Sequence, residues 1–186
     1  LGGDAGRVVI GGESAGANLA TSTALRTLDG PTRFAAQWLV VPGVDFSRDL
    51  GTLRESGEWF PMLTPDDLQA ISRLYLGAAS DRAGHFPPSP LHAPSFQGLP
   101  PAVIAVAGHD HLRGEGLRYA AALRADGVPV DVVELADMPH PFLAFLGASA
   151  GADRALERAC DALRTLMQAP VASSLNPIRP HNKETP

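Results

Sequence analysis

Short apolar runs alternate along the chain with longer segments in which apolar residues recur every three or four positions. The short runs are typical of buried strands, and the longer periodicity is typical of helices that bury one face. Buried strands are predicted over residues 7–10, 34–41, 102–107 and 130–135. Helices are predicted over residues 15–28, 65–76, 114–125 and 153–167. Strands that alternate with helices indicate an α/β fold whose mostly parallel sheet is flanked by helices.

Three segments show neither periodicity. Residues 47–64 are polar and irregular, and a helix is expected directly after them, with Thr64 as its N-cap and Pro65 at its first position. Residues 77–101 hold six prolines, which predicts a long connection without regular structure. Residues 168–186 hold four prolines and little to bury, so this tail is predicted to be disordered.

The composition is that of an ordinary globular protein, with 45% hydrophobic and 19% charged residues among 186. A net charge of −5 leaves no basic surplus, so no nucleic-acid partner is expected. The single cysteine, Cys160, can form neither an internal disulfide nor a cysteine cluster for zinc. Because no apolar run approaches about 18 residues and the first residues do not resemble a signal peptide, we expect no membrane span and a cytoplasmic location. Composition does not predict the oligomeric state.

The motif with the clearest chemistry is Gly12-Glu13-Ser14-Ala15-Gly16, which lies between the first predicted strand and the first predicted helix. A Gly-x-Ser-x-Gly sequence in this context forms a sharp turn that exposes the serine, and glycine tolerates the crowding on either side. The turn also places the serine at a helix N-terminus, where free N–H groups favour negative charge. Ser14 is therefore the predicted nucleophile and the Ala15 N–H the predicted oxyanion donor. The alternative is a glycine-rich turn with an incidental serine.

A serine nucleophile needs a base to take its proton and an acid to orient that base. His140 follows the last predicted strand, and Asp110 follows the third. Both positions fall at the carboxyl edge of a parallel sheet, where open α/β sheets place their sites. A surface histidine and a helix-capping aspartate are the structural alternatives. Asp137 competes with Asp110 for the role of the acid, although it lies on the same predicted loop as His140.

Three separated segments resemble the hormone-sensitive-lipase-like family of α/β-hydrolases, which includes bacterial carboxylesterases and proteins similar to arylacetamide deacetylase. Residues 7–20 resemble the family's elbow around the serine, residues 99–116 its acid segment, and residues 138–142 its His-Gly-Phe segment. The resemblance runs over about residues 1–167, and the order Ser14, Asp110, His140 is that of the family. It implies an α/β-hydrolase fold with Ser14, Asp110 and His140 as the catalytic residues.

The resemblance covers the C-terminal portion of that fold. It implies a partial domain over residues 1–167 with about four strands, and a cap-related insertion and connection over about 47–95, because residues 52–76 are similar to the family's cap segment. The family's N-terminal strands and its His-Gly-Gly-Gly oxyanion segment precede the elbow, whereas this chain begins 13 residues before Ser14. The strand at 7–10 is then expected to be an apolar edge that is open to pairing or aggregation.

The segments depart from the family's pattern at three positions. His111 stands where the acid segment usually has proline, Gly114 where it usually has aspartate, and Pro141 where glycine usually follows the histidine. Of these, Pro141 bears most directly on the site, because a proline restricts the backbone of the residue before it, here His140.

The resemblance implies a carboxylic ester hydrolase that works through an acyl-enzyme on a small-molecule ester, with no metal and no organic cofactor. Trp59, Phe60 and Met62 are candidates for an acyl pocket, although an aromatic cluster of this kind more often serves packing. Three alternatives stay open: a catalytically inactive fragment, a small-molecule binding protein on the same fold, and a serine peptidase of the prolyl-oligopeptidase type. The cap-like stretch at 52–76 favours the esterase over the peptidase.

Overall fold

The computed structural model describes residues 2–56, 60 and 62–168 of the chain. Its centre is one four-stranded sheet in which every neighbouring pair of strands is parallel and the spatial order is the chain order. The strands are β1 (Val9–Glu13), β2 (Ala36–Val40), β3 (Ala102–His109) and β4 (Val130–Pro139). The predicted α/β fold with four parallel strands is confirmed.

Helices lie between and after the strands, and the first, fourth and fifth pack on the faces of the sheet. They are α1 (Ala15–Arg26), α2 (Leu50–Glu55), α3 (Pro65–Leu76), α4 (Arg113–Ala125) and α5 (Ala150–Gln168). Short 3-10 turns lie at Ala5–Arg7, Gly77–Arg82, Pro90–His92 and Phe142–Phe145. The four helices that the sequence predicts are present, with ends that agree to within three residues.

The core lies in two layers, one on each side of the sheet. Ile104 on β3 packs in the cluster that α1 and α4 close, whereas its neighbours Val103 and Ala105 pack in the cluster that α5 closes. Successive side chains of a strand point to opposite faces, so a strand that is covered on both sides is apolar at nearly every position. This explains why residues 102–107 form a continuous apolar run and are all buried.

The expectation that residues 47–64 are irregular is wrong at α2. Asp49 caps this short helix, and its side chain accepts hydrogen bonds from the N–H groups of Gly51 and Thr52. Only Leu50 and Leu53 pack against the apolar cluster beneath α2. Two contacts are too few to produce a helical periodicity in the sequence.

The cap of α3 agrees with the prediction. Thr64 and Asp67 form a reciprocal capping box, and Pro65 occupies the first turn. The hydrogen bonds from Thr64 hold the pKa of the Asp67 carboxyl below its ordinary value. The start of α3 is therefore well defined, and α3 carries a row of apolar side chains toward the site described below.

The strand β4 extends beyond its predicted end because its register with β3 shifts. Ala107 pairs with Leu135, whereas His109 pairs with Pro139, so β4 contains two more residues than β3 between these two pairs. Gly108 makes room for the bulge, since a Cβ on it would lie 1.9 Å from the carbonyl oxygen of Ala136. As a result, the last residues of β3 and β4, His109 and Pro139, lie beside each other at the same edge of the sheet.

The strand β1 lies at the edge of the sheet in the described part of the chain, where it pairs with β2 alone. That this edge takes part in pairing or aggregation stays a prediction. The predicted disordered tail lies outside the described residues except for Gln168, which ends α5. None of the described helices is long and apolar enough to cross a membrane.

Candidate active site

The turn between β1 and α1 holds Ser14 in a strained backbone conformation. Its φ of 52° and ψ of −113° fall in a region that residues with a side chain rarely adopt. The turn is held on both sides, since the Ser14 N–H donates to the Val40 carbonyl at 2.9 Å and the Ser14 carbonyl accepts from Asn18. Strain that the surrounding structure maintains in this way is typical of functional sites.

The two glycines of the turn play different roles. A Cβ on Gly12 would lie 2.3 Å from the carbonyl carbon of Gly16, so β1 and α1 can approach this closely only because Gly12 has no side chain. A Cβ on Gly16 would meet nothing within 4 Å in the described part of the chain outside the helix's own backbone. The expectation that crowding requires glycine on both sides of Ser14 is therefore wrong at Gly16.

His140 connects Ser14 to Asp110. The His140 Nε2 lies 2.9 Å from the Ser14 Oγ, and the His140 Nδ1 lies 2.8 Å from the Asp110 Oδ2. A carboxylate beside Nδ1 favours the tautomer with its proton there, which leaves the Nε2 lone pair to accept from the serine hydroxyl. Three residues at the ends of three strands thus form one continuous hydrogen-bonded chain.

Asp110 is held rigidly and away from water. It is 4% exposed, and its second oxygen, Oδ1, accepts a 2.8 Å hydrogen bond from the Leu112 N–H. The competing Asp137 is exposed and lies in the bulge of β4. Pro141 leaves the imidazole of His140 within hydrogen-bond distance of both partners. The geometry favours Asp110 over Asp137 as the partner of His140.

A cleft of about 290 Å³ opens at Ser14. Its lining is mostly apolar and comprises Ser14, Ala15, Asn18, Leu19, Gly43, Phe46, Arg48, Leu63, Leu68, Ile71, Tyr75 and Leu112. The α1 residues of this set lie one turn apart, at Ala15, Asn18 and Leu19. A concave apolar surface beside a few polar atoms is the usual form of a small-molecule site.

The cleft residues differ from the candidates that the sequence suggested. Phe60 packs on the rings of His109 and His111, with centroid distances of 5.9 and 4.8 Å, and Met62 is exposed. Trp59 lies outside the described residues. The walls come instead from Leu68, Ile71 and Tyr75, with their helical spacing on α3, and from the loop after β2. The three- and four-residue steps between Leu68, Ile71 and Tyr75 indicate in the sequence that they share one face of α3. They do not indicate that this face lines a cleft at Ser14.

One wall of the cleft contains a buried ion pair. The Nε and Nη2 atoms of Arg48 donate to the two carboxylate oxygens of Glu115 on α4, and the shortest of these distances is 3.0 Å. The two side chains are 8% and 3% exposed. Burial raises the pKa of the Glu115 carboxyl to about 7, although the neighbouring Arg48 guanidinium acts in the opposite direction.

A second grouping of serine, histidine and aspartate joins the loop after β2 to the 3-10 turn at Pro90–His92. Asp45 accepts hydrogen bonds from Ser47 and Arg118 and lies 3.1 Å from the His92 Nε2. Burial alone would raise the pKa of Asp45, but the hydrogen bonds from Ser47 and His92 hold it below its ordinary value. Because Ser47 and Asp45 approach the same ring nitrogen, His92 cannot relay a proton between them.

Neither residue type nor spacing suggests a metal centre. Among residues 2–56, 60 and 62–168, no group of three or more histidine, cysteine, aspartate and glutamate side chains could hold a metal ion. Cys160 is a half-buried free thiol on α5.

Comparison with known proteins agrees with the geometry. Residues 1–144 match the family described as the alpha/beta hydrolase fold. The chain belongs to this family. Esterase LipI of Mycobacterium tuberculosis is 36% identical over 171 residues, which are 90% of this chain and 52% of LipI. Carboxylic ester hydrolase LipN of the same organism is 38% identical over 165 residues, which are 86% of this chain and 43% of LipN.

Solved structures of the α/β hydrolase fold include one that is similar over most of this chain. The crystal structure of EstE1, a thermostable carboxylesterase cloned from a metagenomic library, matches with a TM-score of 0.79 at 32% identity, covering 89% of this chain and 56% of that chain. The resemblance to hormone-sensitive-lipase-like esterases is confirmed by these comparisons. The chain spans about half the length of the relatives it matches.

Proposed function

We propose that this α/β hydrolase is a carboxylic ester hydrolase that works through an acyl-enzyme on Ser14. The observation that carries the proposal is the hydrogen-bonded chain from the Ser14 Oγ through His140 to Asp110, at the mouth of an apolar cleft. The esterase names of its relatives support the same reaction class. Because the chain spans about half of each relative, the proposal concerns the whole protein.

The positions of these groups support the following reaction. The Ser14 oxygen attacks the ester carbonyl carbon while the His140 Nε2 takes the hydroxyl proton, and Asp110 orients the imidazole and offsets its charge. The Ala15 N–H, at the N-terminus of α1, donates to the oxyanion. His140 then returns the proton to the leaving alcohol, and a water molecule that it activates releases the acyl group as a carboxylic acid.

The oxyanion contacts bear on the rate. The resembled family supplies further oxyanion N–H groups from a His-Gly-Gly-Gly segment, and these 186 residues hold no such run. Loss of one donor typically costs about 3 to 4 kcal/mol of transition-state stabilisation. We propose residues 1–167 as the C-terminal part of an α/β-hydrolase domain, with about residues 47–95 as the cap-related insertion and connection; an oxyanion segment of the family's kind would add its N–H groups to that of Ala15.

Hydrolysis of short-chain p-nitrophenyl esters tests the proposal. The whole protein should release p-nitrophenol faster than its Ser14→Ala variant, and a fluorophosphonate should add once per molecule, at Ser14. Ser22→Ala, on the same helix and bonded to the Pro87 carbonyl, is the matched serine control and should behave as the parent. Equal release by the parent and Ser14→Ala, together with no adduct, would contradict the proposal and favour an inactive chain or a binding protein. Turnover of peptides in preference to esters would favour the peptidase.

A further inference from the structure

The buried pair of Arg48 and Glu115 is unusual because it places a cation in the wall of an otherwise apolar cleft. The guanidinium is fixed from two sides: its carbon lies 5.4 Å from the centre of the Phe46 ring, and two of its nitrogens donate to Glu115. Phe46 in turn stacks on Tyr75 of α3, with ring centres 5.0 Å apart. Arg48 therefore has little freedom to leave the wall.

The path of the proton indicates whether the cleft binds the acyl group or the alcohol group of the ester. The leaving alcohol must lie beside the His140 Nε2, because that nitrogen returns the proton to it. Ser14 and Ala15 line the cleft, and His140 is not among the residues that do. On the proposed function, the cleft therefore receives the acyl group and Arg48 belongs to the acyl wall.

A buried guanidinium without a partner would attract any acyl chain that ends in a carboxylate. Glu115 already occupies Nε and Nη2, one of the two edges at which a guanidinium binds a carboxylate, and its negative charge offsets that of Arg48. The next charges outward, Asp45 and Arg118, are paired with each other at 3.2 Å and add no net charge. Among the described residues that line the cleft, a second carboxylate would find no cation without a carboxylate partner, and Glu115 would repel it.

We propose that Arg48 and Glu115 together determine acyl specificity: Glu115 neutralises Arg48, so that the cleft selects uncharged acyl chains and rejects those that end in a carboxylate. In this arrangement Glu115 is a positioning residue that acts through Arg48. The inference rests on the proposed ester hydrolysis for the assignment of the cleft to the acyl group.

The experiment compares two substrate series at mildly alkaline pH. One series is the mono-p-nitrophenyl esters of adipic and pimelic acid, and the other is the p-nitrophenyl esters of unsubstituted acids of the same length. Glu115→Gln should raise the ratio of kcat/KM for anionic over neutral esters by roughly 10- to 100-fold, the value of a charge-assisted hydrogen bond. Most of this change should appear in KM. The double variant Glu115→Gln with Arg48→Met should return the ratio to the parent value.

The control is Glu134→Gln, which removes a carboxylate from an ion pair of the same kind with Arg113 that is 43% and 56% exposed on the surface. It should leave the ratio unchanged. A purely structural role for Glu115 would slow both substrate series equally. An unchanged ratio in Glu115→Gln, an equal change in Glu134→Gln, or a change that persists in the double variant would each overturn the inference.

A binding measurement separates this inference from the proposed reaction. In the Ser14→Ala background, calorimetry with monoethyl adipate should show tighter binding after Glu115→Gln by the same factor. If the parent shows no Ser14-dependent turnover but this gain appears, ester hydrolysis fails and the selection against anions stands. If turnover depends on Ser14 and no gain appears in either measurement, the reaction stands and the role of Glu115 is wrong.

Discussion

Replacing Gly12 with alanine should test whether the approach of β1 to α1 depends on this residue. In the structure the new Cβ would lie 2.3 Å from the carbonyl carbon of Gly16, 2.5 Å from its oxygen and 2.8 Å from the Ala17 nitrogen. Carbon atoms in normal contact are separated by about 3.5 to 4.0 Å, so the strand and the helix must move apart by about 1 Å. All three contacts are with backbone, which cannot avoid the methyl group by rotating a side chain.

The cost can be estimated from what is known of overpacking. Forcing extra carbon atoms into a packed interior typically costs about 1 to 3 kcal/mol, and backbone contacts favour the upper end. Alanine also restricts the unfolded chain, which stabilises the folded state by roughly 0.4 to 1 kcal/mol. The net effect of Gly12→Ala should be to lower the free energy of unfolding by about 2 kcal/mol. With a urea m-value of about 2 kcal/mol/M, the midpoint should fall by about 1 M. Urea unfolding followed by far-UV circular dichroism measures this.

The matched control is Gly16→Ala, the same substitution four residues along. Its methyl group would meet nothing within 4 Å in the described part of the chain outside the helix's own backbone, and alanine favours a helix by up to about 1 kcal/mol over glycine. The Gly16→Ala midpoint should equal or exceed that of the parent. The reasoning is refuted if Gly12→Ala unfolds within about 0.5 kcal/mol of the parent, or if Gly16→Ala loses as much as Gly12→Ala.

Two further predictions concern the buried acids. Asp110→Asn should lower kcat by up to about 10⁴-fold, the effect of the equivalent change in a serine protease, because the amide can no longer hold the proton on the His140 Nδ1; Asp137→Asn is the control in the same ester assay, and an equal loss there would contradict the choice of acid. Burial raises the pKa of Glu115 to about 7, above its value in the unfolded chain, so its contribution to stability is complete at acidic pH and is lost as pH rises from about 4.5 to 7. The free energy of unfolding of the parent should therefore fall across this window by up to about 3 kcal/mol relative to that of Glu115→Gln, in which Arg48 keeps its charge. Chemical denaturation of both proteins at a series of pH values measures this difference. Parallel pH profiles would show that burial does not shift the pKa of Glu115.

The central strands β2 and β3 could be predicted because both of their faces are largely buried. Burial on both faces favours apolar residues at successive positions, as in residues 102–107, and such a run is visible in the sequence. The end of β4 could not be predicted in the same way. Its last four residues include Pro139, which normally argues against a strand, and they pair with β3 only through the register shift at Gly108.

The helix α2 could not be predicted, for a related reason. A helix is visible in a sequence when it buries a periodic face, and α2 buries only parts of Leu50 and Leu53. What stabilises its start is the side chain of Asp49, a local cap that any polar loop can contain. A single cap without a following apolar stripe does not distinguish a helix from a turn.

The residues around Ser14 show why one part of the site could be predicted and another could not. The elbow requires a strained backbone at Ser14 and a close approach of two elements at Gly12, and because both demands fall within three residues they leave a recognisable pattern in the sequence. The ion pair in the cleft joins residues that are 67 positions apart, and each of the two looks like an ordinary surface charge in its own segment. Only the packing of α4 against the loop after β2 buries them together. Chemistry that depends on local backbone geometry is therefore accessible from sequence, whereas selectivity that depends on which charges are buried against each other requires the fold.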